Sequence, residues 1–259
     1  MRKLGTPLGL IFGIVCIFGA FFLEGGTIDK IILGPALIIV LGGTFAATMI
    51  GVALNDFFKV FTLIKIAFFP KKFDFKNTID RIVDFSAMAR KEGILSLERE
   101  VGKIDNPFFQ KFIKYAIDGT DPETIKNIGE TEIHYISQRH EKYSDIFKKM
   151  GGYSPTMGII GTVMGLITTL ANAGNEPEVL VRHIATAFIA TLWGIFMANI
   201  VWLPIADKLK SVHAEEEIFM EIVVEGTLSI QAGEIPSLIK AKLYTILPSS
   251  QQPVEKRYI

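Results

Sequence analysis

Two apolar stretches place small and hydroxyl-bearing residues on matching helical faces. In GGYSPTMGIIGTVMGLITTL (151–170), Gly158, Gly161, Thr162, Gly165 and Thr169 fall at i, i+3, i+4, i+7 and i+11, a single stripe on a helix. In TAFIATLWGIFMAN (186–199), Ala187, Ala190, Thr191, Gly194 and Ala198 repeat that spacing. Small faces let helix backbones approach in hydrocarbon, and Gly161-x-x-x-Gly165 is the usual form of such a contact. Two consecutive segments with the same narrow face make a packed seam or a pore wall.

Other chemistry is sparse. His134, His140, His183 and His213 stand in scattered polar contexts, and the chain has no HExxH, Walker loop, GxSxG or cysteine pair. Cys16 is the single cysteine and lies in an apolar run, so neither a disulfide framework nor a cysteine metal site is expected. An enzyme is not expected. Carboxylates are informative by where they do not occur. A path that strips water from an ion usually presents an Asp or Glu inside the membrane. None of the apolar runs holds one, so if the seam conducts, the acid comes from another chain.

The seam belongs to a chain of 259 residues, 49% hydrophobic and 21% charged, with a mean hydropathy of +0.38. That hydrophobicity is concentrated in four blocks without Asp, Glu, Lys or Arg: 6–23, 31–54, 151–175 and 184–206. At 1.5 Å per residue each can cross a hydrocarbon core of about 30 Å. Arg2 and Lys3 before the first block would also suit a cleaved signal peptide, but LEGGTIDK offers no small-x-small cleavage site and a second span follows at once. The fold class is therefore an all-α membrane protein with four transmembrane helices, a helical cytoplasmic domain inserted between spans 2 and 3, and a helical cytoplasmic tail. Its expected parts are 1–54, 55–150, 151–206 and 207–259. Formal net charge is zero, so no nucleic-acid partner is expected. Lys59, Lys65, Lys71, Lys72, Lys142, Lys148, Lys149, Lys208 and Lys210 flank the blocks on one side. On the other side stand Glu24, Asp29 and Lys30, then Glu176, Glu178 and Arg182. The positive-inside rule puts both termini and the long middle segment in the cytoplasm.

Between the spans the pattern is helical. Ile79, Ile82, Val83, Phe85 and Met88 mark an amphipathic helix over 76–90 that Gly93 ends, and a short helix over 94–103 follows. Asn106-Pro107 interrupts before a Phe108, Phe109, Phe112, Ile113 stripe. After the Asp118-Gly119 turn, TDPE at 120–123 combines a capping box with a first-turn proline and launches a helix towards Lys149. In the tail, 218–232 is apolar-periodic, Gly233 is a stop and Pro236 a start. Only SSQQPVEKRYI reads as disordered. Pro35 predicts a slight kink in the second span.

GGYSPTMGIIGTVMGLI, ATLWGIFMANIVWLPIADKL, the loop motif ARKEGILSLERE and the tail AGEIPSLIKAKLYTILP together resemble the MotA/PomA family, the ring-forming subunit of the bacterial flagellar stator. The resemblance covers almost the whole chain. ExbB/TolQ relatives share the last two spans but usually have three, with one before the loop. The resemblance implies a homopentameric ring around two helices of a MotB or PomB partner. That single-span subunit's aspartate supplies the missing acid. The resemblance further implies that ion flow turns the ring and that the ring drives the rotor through FliG. A Tol- or Ton-like energiser and a structural membrane scaffold remain as alternatives.

Carried over residue by residue, Pro155 and Pro204 match the family prolines that couple ion passage to movement, although both also suit plain helix punctuation. Arg90 and Glu98 match the rotor-facing charges, for which a solvated helix face is the plain alternative. Thr162 and Thr191 match positions that are threonine in the sodium-using branch. A hydroxyl can replace water on a hard cation. Equally, a helical threonine can bond its own i−4 carbonyl and bind nothing. The resemblance thus favours Na+ over H+, with the path along Thr162, Thr191, Gly158, Gly161 and Gly165. It implies no resident cofactor or metal, only transient Na+ at the two threonines.

Overall fold

The computed structural model describes residues 5–171 and 177–252; among these the secondary structure is helical throughout, with no strand. Arg2, Lys3 and Glu176 lie outside the described residues, as do the side chains of Glu178 and Arg182. Four helices are long and apolar enough to cross a membrane: Gly5–Leu23, Gly34–Gly51, the apolar end of Pro122–Ala171, and the apolar end of His183–Gln231. This is the multi-span helical protein that the uncharged blocks predict.

Differences from the sequence reading have local causes. Pro35 does not kink the second span. It occupies the first turn of that span, after an extended Leu33 and a separate Ile28–Ile31 turn, where its missing N–H costs nothing. Span 2 widens into π-helical turns over Ile38–Gly42, and span 4 does so over Met197–Trp202. The second widening directly precedes Pro204, whose ring would crowd the carbonyl four residues earlier in a regular helix. The third span is no separate element either, since Pro122–Ala171 runs 50 residues without a break. Nor does the helix of span 4 stop at 206, because it continues to Gln231.

The chain divides into two compact units. One comprises the chain to Lys71 together with His140–Val212; the other comprises Lys72–Arg139 together with the chain from His213. Within the first, Val60, Leu63 and Ala67 of the amphipathic Val60–Phe68 helix bury against Ile146, Phe147 and Met150 and against Trp202, Ile205, Ala206 and Leu209. The segment after span 2 is pinned by charge as well: Lys142 and Lys59 lie 2.6 and 2.9 Å from the Asp56 carboxylate, and Lys59 donates to Tyr143 Oη at 2.6 Å. Hydrogen bonds from Lys142, then Lys59, hold Asp56 below the usual carboxylate range; bonds to Tyr143, then Asp56, raise Lys59.

The second unit is a helical core of buried apolar residues. The Phe75–Glu92 helix buries Ile79, Ile82 and Phe85, and Gly93 ends it at φ +84°, a conformation that favours glycine. Residues 94–103 form a 3-10 turn, Ile94–Leu97, and one α-turn, Glu98–Val101. Asn106 caps Pro107–Ile117 through bonds from Phe108 N and Phe109 N. Asp121, one residue later than the capping box implied, caps Pro122–Ala171 by accepting from Thr124 N at 3.1 Å. Pro236–Ile246 closes this core with Ile239 and Leu243 fully buried. Of the final stretch expected to be disordered, Ser249–Gln251 makes a 3-10 turn and 253–259 lie outside the described residues.

Candidate ion path between spans 3 and 4

The two small-residue faces meet. A Cβ placed on Gly158 would lie 2.9 Å from Ala190 O and 3.1 Å from Thr191 Cα; one on Gly161 would meet Ala190 Cβ at 2.6 Å, and one on Gly165 would meet Ala187 Cβ at 2.9 Å. Facing them, a Cβ on Gly194 would lie 2.7 Å from Ser154 O and 3.1 Å from Gly158 Cα. The obstructing atoms are largely backbone, so these glycines are what allow the two helices to touch. Span 2 packs on the same helix: a Cβ on Gly43 would reach Met157 Sδ at 2.7 Å, and Ile39 lies against Gly161. Trp193 Nε1 donates to Ile31 O at 2.9 Å, tying span 4 to the start of span 2.

At this approach the two threonines meet hydroxyl to hydroxyl. Thr162 Oγ1 also lies 3.1 Å from Gly158 O, its own i−4 carbonyl, and 3.0 Å from Ala187 O across the seam. Ala187 is the i−4 residue of Thr191, so Thr162 reaches the acceptor that Thr191 would otherwise use. Each hydroxyl has one proton and two lone pairs. Two protons thus serve a cluster of four oxygens, which leaves acceptor capacity unspent. That is the ligand chemistry of a hard monovalent cation or of a proton held on water.

The remaining residues singled out in the sequence are dispersed. Pro155 lies half-buried inside the third span, within the seam, and its α-carbon would lie 3.2 Å from a Cβ on Gly194. Pro204 is exposed and lies just beyond the π-helical turns. Arg90 and Glu98 are both exposed in the other unit; Arg90 Nη1 donates to Gly233 O at 2.9 Å, while Glu98 opens the Glu98–Val101 turn.

Two polar groups on the seam faces escaped the sequence reading. Ser154 precedes Gly158 by four residues and extends the same stripe; it is fully buried and its Oγ has no hydrogen-bond partner. His183 precedes Ala187 by four, with a buried and unpartnered Nδ1. The signal for both was the i−4 continuation of each stripe, which is hidden when only small residues and threonines are tracked. The Asp56, Lys59, Lys142 and Tyr143 cluster left no such signal, because 84 residues separate Lys59 from Tyr143.

A multi-span helical membrane protein whose last two spans meet over a cluster of hydroxyl and carbonyl oxygens has the make-up of a channel subunit. Comparison with known proteins gives that class its family. The profile of the MotA/TolQ/ExbB proton channel family matches residues 100–222, and that of the motility protein A N-terminal region matches 7–93. Motility protein A of Bacillus subtilis is 32% identical over 246 residues, 95% of this chain and 91% of that protein. The structure of C. jejuni MotAB superposes with a TM-score of 0.90 at 26% identity, covering 95% of this chain and 96% of that one. The flagellar MotAB stator complex from Bacillus subtilis superposes at 0.88 and 32% identity, with coverage of 94% and 95%. The chain belongs to the MotA/TolQ/ExbB proton channel family. With a proton-channel family, a motility protein and a flagellar stator complex as its matches, its class is an ion-channel subunit and not an enzyme.

Proposed function

We propose that this chain is the ring-forming, ion-conducting subunit of a bacterial flagellar stator. The observation that supports this reading most directly is the seam: backbone-close glycines bring Thr162 and Thr191 into one oxygen cluster with the Ala187 and Gly158 carbonyls. No span carries an acid, so the carboxylate that an ion path needs comes from a single-span MotB- or PomB-like partner. The MotAB complexes among the similar structures support such a partner. Ile159, Val163, Leu166, Ile167 and Leu170 of span 3 and Phe188 and Ile195 of span 4 point away from the seam and are exposed on the single chain. Those faces suit lipid, the partner helices and neighbouring copies in a pentameric ring. The lysines flanking the spans orient both termini to the cytoplasm. In that orientation Arg90 and Glu98 stand on the FliG side, and Pro155 and Pro204 act where ion passage becomes movement. The match of Thr162 and Thr191 to the sodium-using branch supports Na+ as the carried ion, with H+ as the alternative the same oxygens would also serve.

The experiment is reconstitution and motility together. Purified chain in liposomes is expected to assemble yet pass no ion, whereas chain with its single-span partner passes current. A strain carrying both is expected to swim in sodium-rich medium and stop in sodium-free medium. Flux from the chain alone would overturn the need for a partner acid. Swimming indifferent to sodium would assign the path to protons.

A further inference from the structure

The seam has a second polar position that the threonine cluster does not use. Ser154 lies eight residues before Thr162 on the same buried face, about 12 Å along the helix at its standard rise. Its residue is fully buried, and its Oγ has no hydrogen-bond partner. The threonines of the same helix behave differently. Thr156, Thr162, Thr168 and Thr169 each return a hydroxyl to a carbonyl three or four residues back. That is the ordinary way for a helix in hydrocarbon to silence a hydroxyl. A buried hydroxyl left unmade costs free energy, and such groups in native proteins call for an occupant.

The backbone beside Ser154 is also incomplete. Pro155 has no N–H, so the Gly151 carbonyl loses the helical donor it would otherwise have. Gly151 and Ser154 are three residues apart and therefore share one helical face. Across the seam Gly194 brings bare backbone to this level, with its α-carbon region against Ser154 O, Pro155 and Gly158. A hydroxyl with no partner and a carbonyl without its helical donor thus share one face of span 3 where Gly194 meets that span at backbone range.

We propose that Ser154 Oγ and the Gly151 carbonyl form a second oxygen station for the carried ion, on the cytoplasmic side of the threonine cluster. Two weak stations in series fit conduction, which requires sites that bind well enough to admit an ion and loosely enough to release it. The inference rests on the ion path proposed above. It adds a functional reason for a proline at 155: the ring that stiffens the helix also exposes the carbonyl.

The test uses the full chain assembled with its single-span partner. Speed of tethered cells is followed across a sodium series and a pH series, whichever the wild type obeys. Ser154→Ala removes the oxygen and adds no volume. It is expected to raise the half-saturating ion concentration about three- to tenfold, the scale of one lost hydrogen-bond-strength ligand, while speed at saturating ion stays near wild type. Ser154→Gly, which also lacks the oxygen and cannot overpack, is expected to do the same. A purely structural role would lower assembly or maximal speed and leave the half-saturation point alone. If the wild-type complex moves and Ser154→Ala keeps its ion dependence, the station is refuted and the stator reading stands. If both variants fail to assemble with the partner, Ser154 is a packing residue and the proposal falls. If the wild-type complex neither conducts nor moves cells, both readings fall.

Discussion

Thr162 and Thr191 show how far a residue type can be interpreted before its neighbours are known. A helical threonine is expected to bond its own i−4 carbonyl, and Thr162 does reach Gly158 O. It also crosses the seam to Ala187 O and to the Thr191 hydroxyl, which makes the pair a shared oxygen cluster instead of two silenced side chains. Thr162→Ala or Thr191→Ala keeps the small face and removes one oxygen. Either is expected to raise the sodium concentration for half-maximal speed about three- to tenfold with assembly intact, measured on tethered cells at fixed proton-motive force. Wild-type speed that tracks only pH and membrane potential would make these threonines helix-packing groups.

Among the elements, the decisive one is the contact between spans 3 and 4, and it depends on glycines at backbone range. Gly194→Ala would push a methyl carbon to 2.7 Å from Ser154 O and 3.1 Å from Gly158 Cα, atoms that cannot rotate away. Overpacking of this kind typically costs about 1–3 kcal/mol. Gly194→Ala is expected to lower the melting temperature in detergent and to impair assembly. Gly152→Ala, with nothing within 4 Å of its Cβ position, should match wild type.

The segment after span 2 has a different fastening, with its own pH signature. Asp56 is held below the usual carboxylate range by Lys142 and Lys59, so its contribution to stability is complete above its unfolded pKa, near 3.9. That contribution is lost as pH falls through the lower folded value. Wild type should therefore hold this segment at neutral pH and release it only in acid below about pH 4. Asp56→Asn should melt earlier at pH 7 and lose that acid limb in thermal scans across pH.

For the whole molecule, the proposed rotor contact is tested on the unit that holds Arg90 and Glu98. Glu98 is exposed and makes no ion pair among the described residues, whereas Arg90 also holds the Gly233 carbonyl at the turn before Pro236–Ile246. Charge reversal at Glu98 is expected to impair swimming with membrane insertion and assembly unchanged. Reversal at Arg90 should do the same with an added, small loss of stability, because the exposed Gly233 carbonyl loses its guanidinium donor and turns to water. Opposite reversals on FliG should restore swimming in part for either. Swim-plate assays with urea melts separate the two effects, and reversals without consequence in sensitised strains would reduce both residues to surface charge.

What the sequence determined by itself is whatever depends on local composition and spacing. Four uncharged blocks dictate four spanning helices, because a backbone in hydrocarbon must satisfy its own hydrogen bonds. Gly93, Gly119 and Gly233 mark stops that the structure realises at φ between +69° and +84°. The matching faces of spans 3 and 4 were readable too, since equal spacing of small residues on consecutive helices allows them to pack. Only the tertiary structure decided what lies opposite what. That Thr162 takes the carbonyl belonging to Thr191, that Ser154 is sealed without a partner, and that Asp56 answers to Lys142 are consequences of the distance between helices. Such distances are set by close packing across residues far apart in the chain, and a one-dimensional pattern cannot encode which donors remain once the helices have closed.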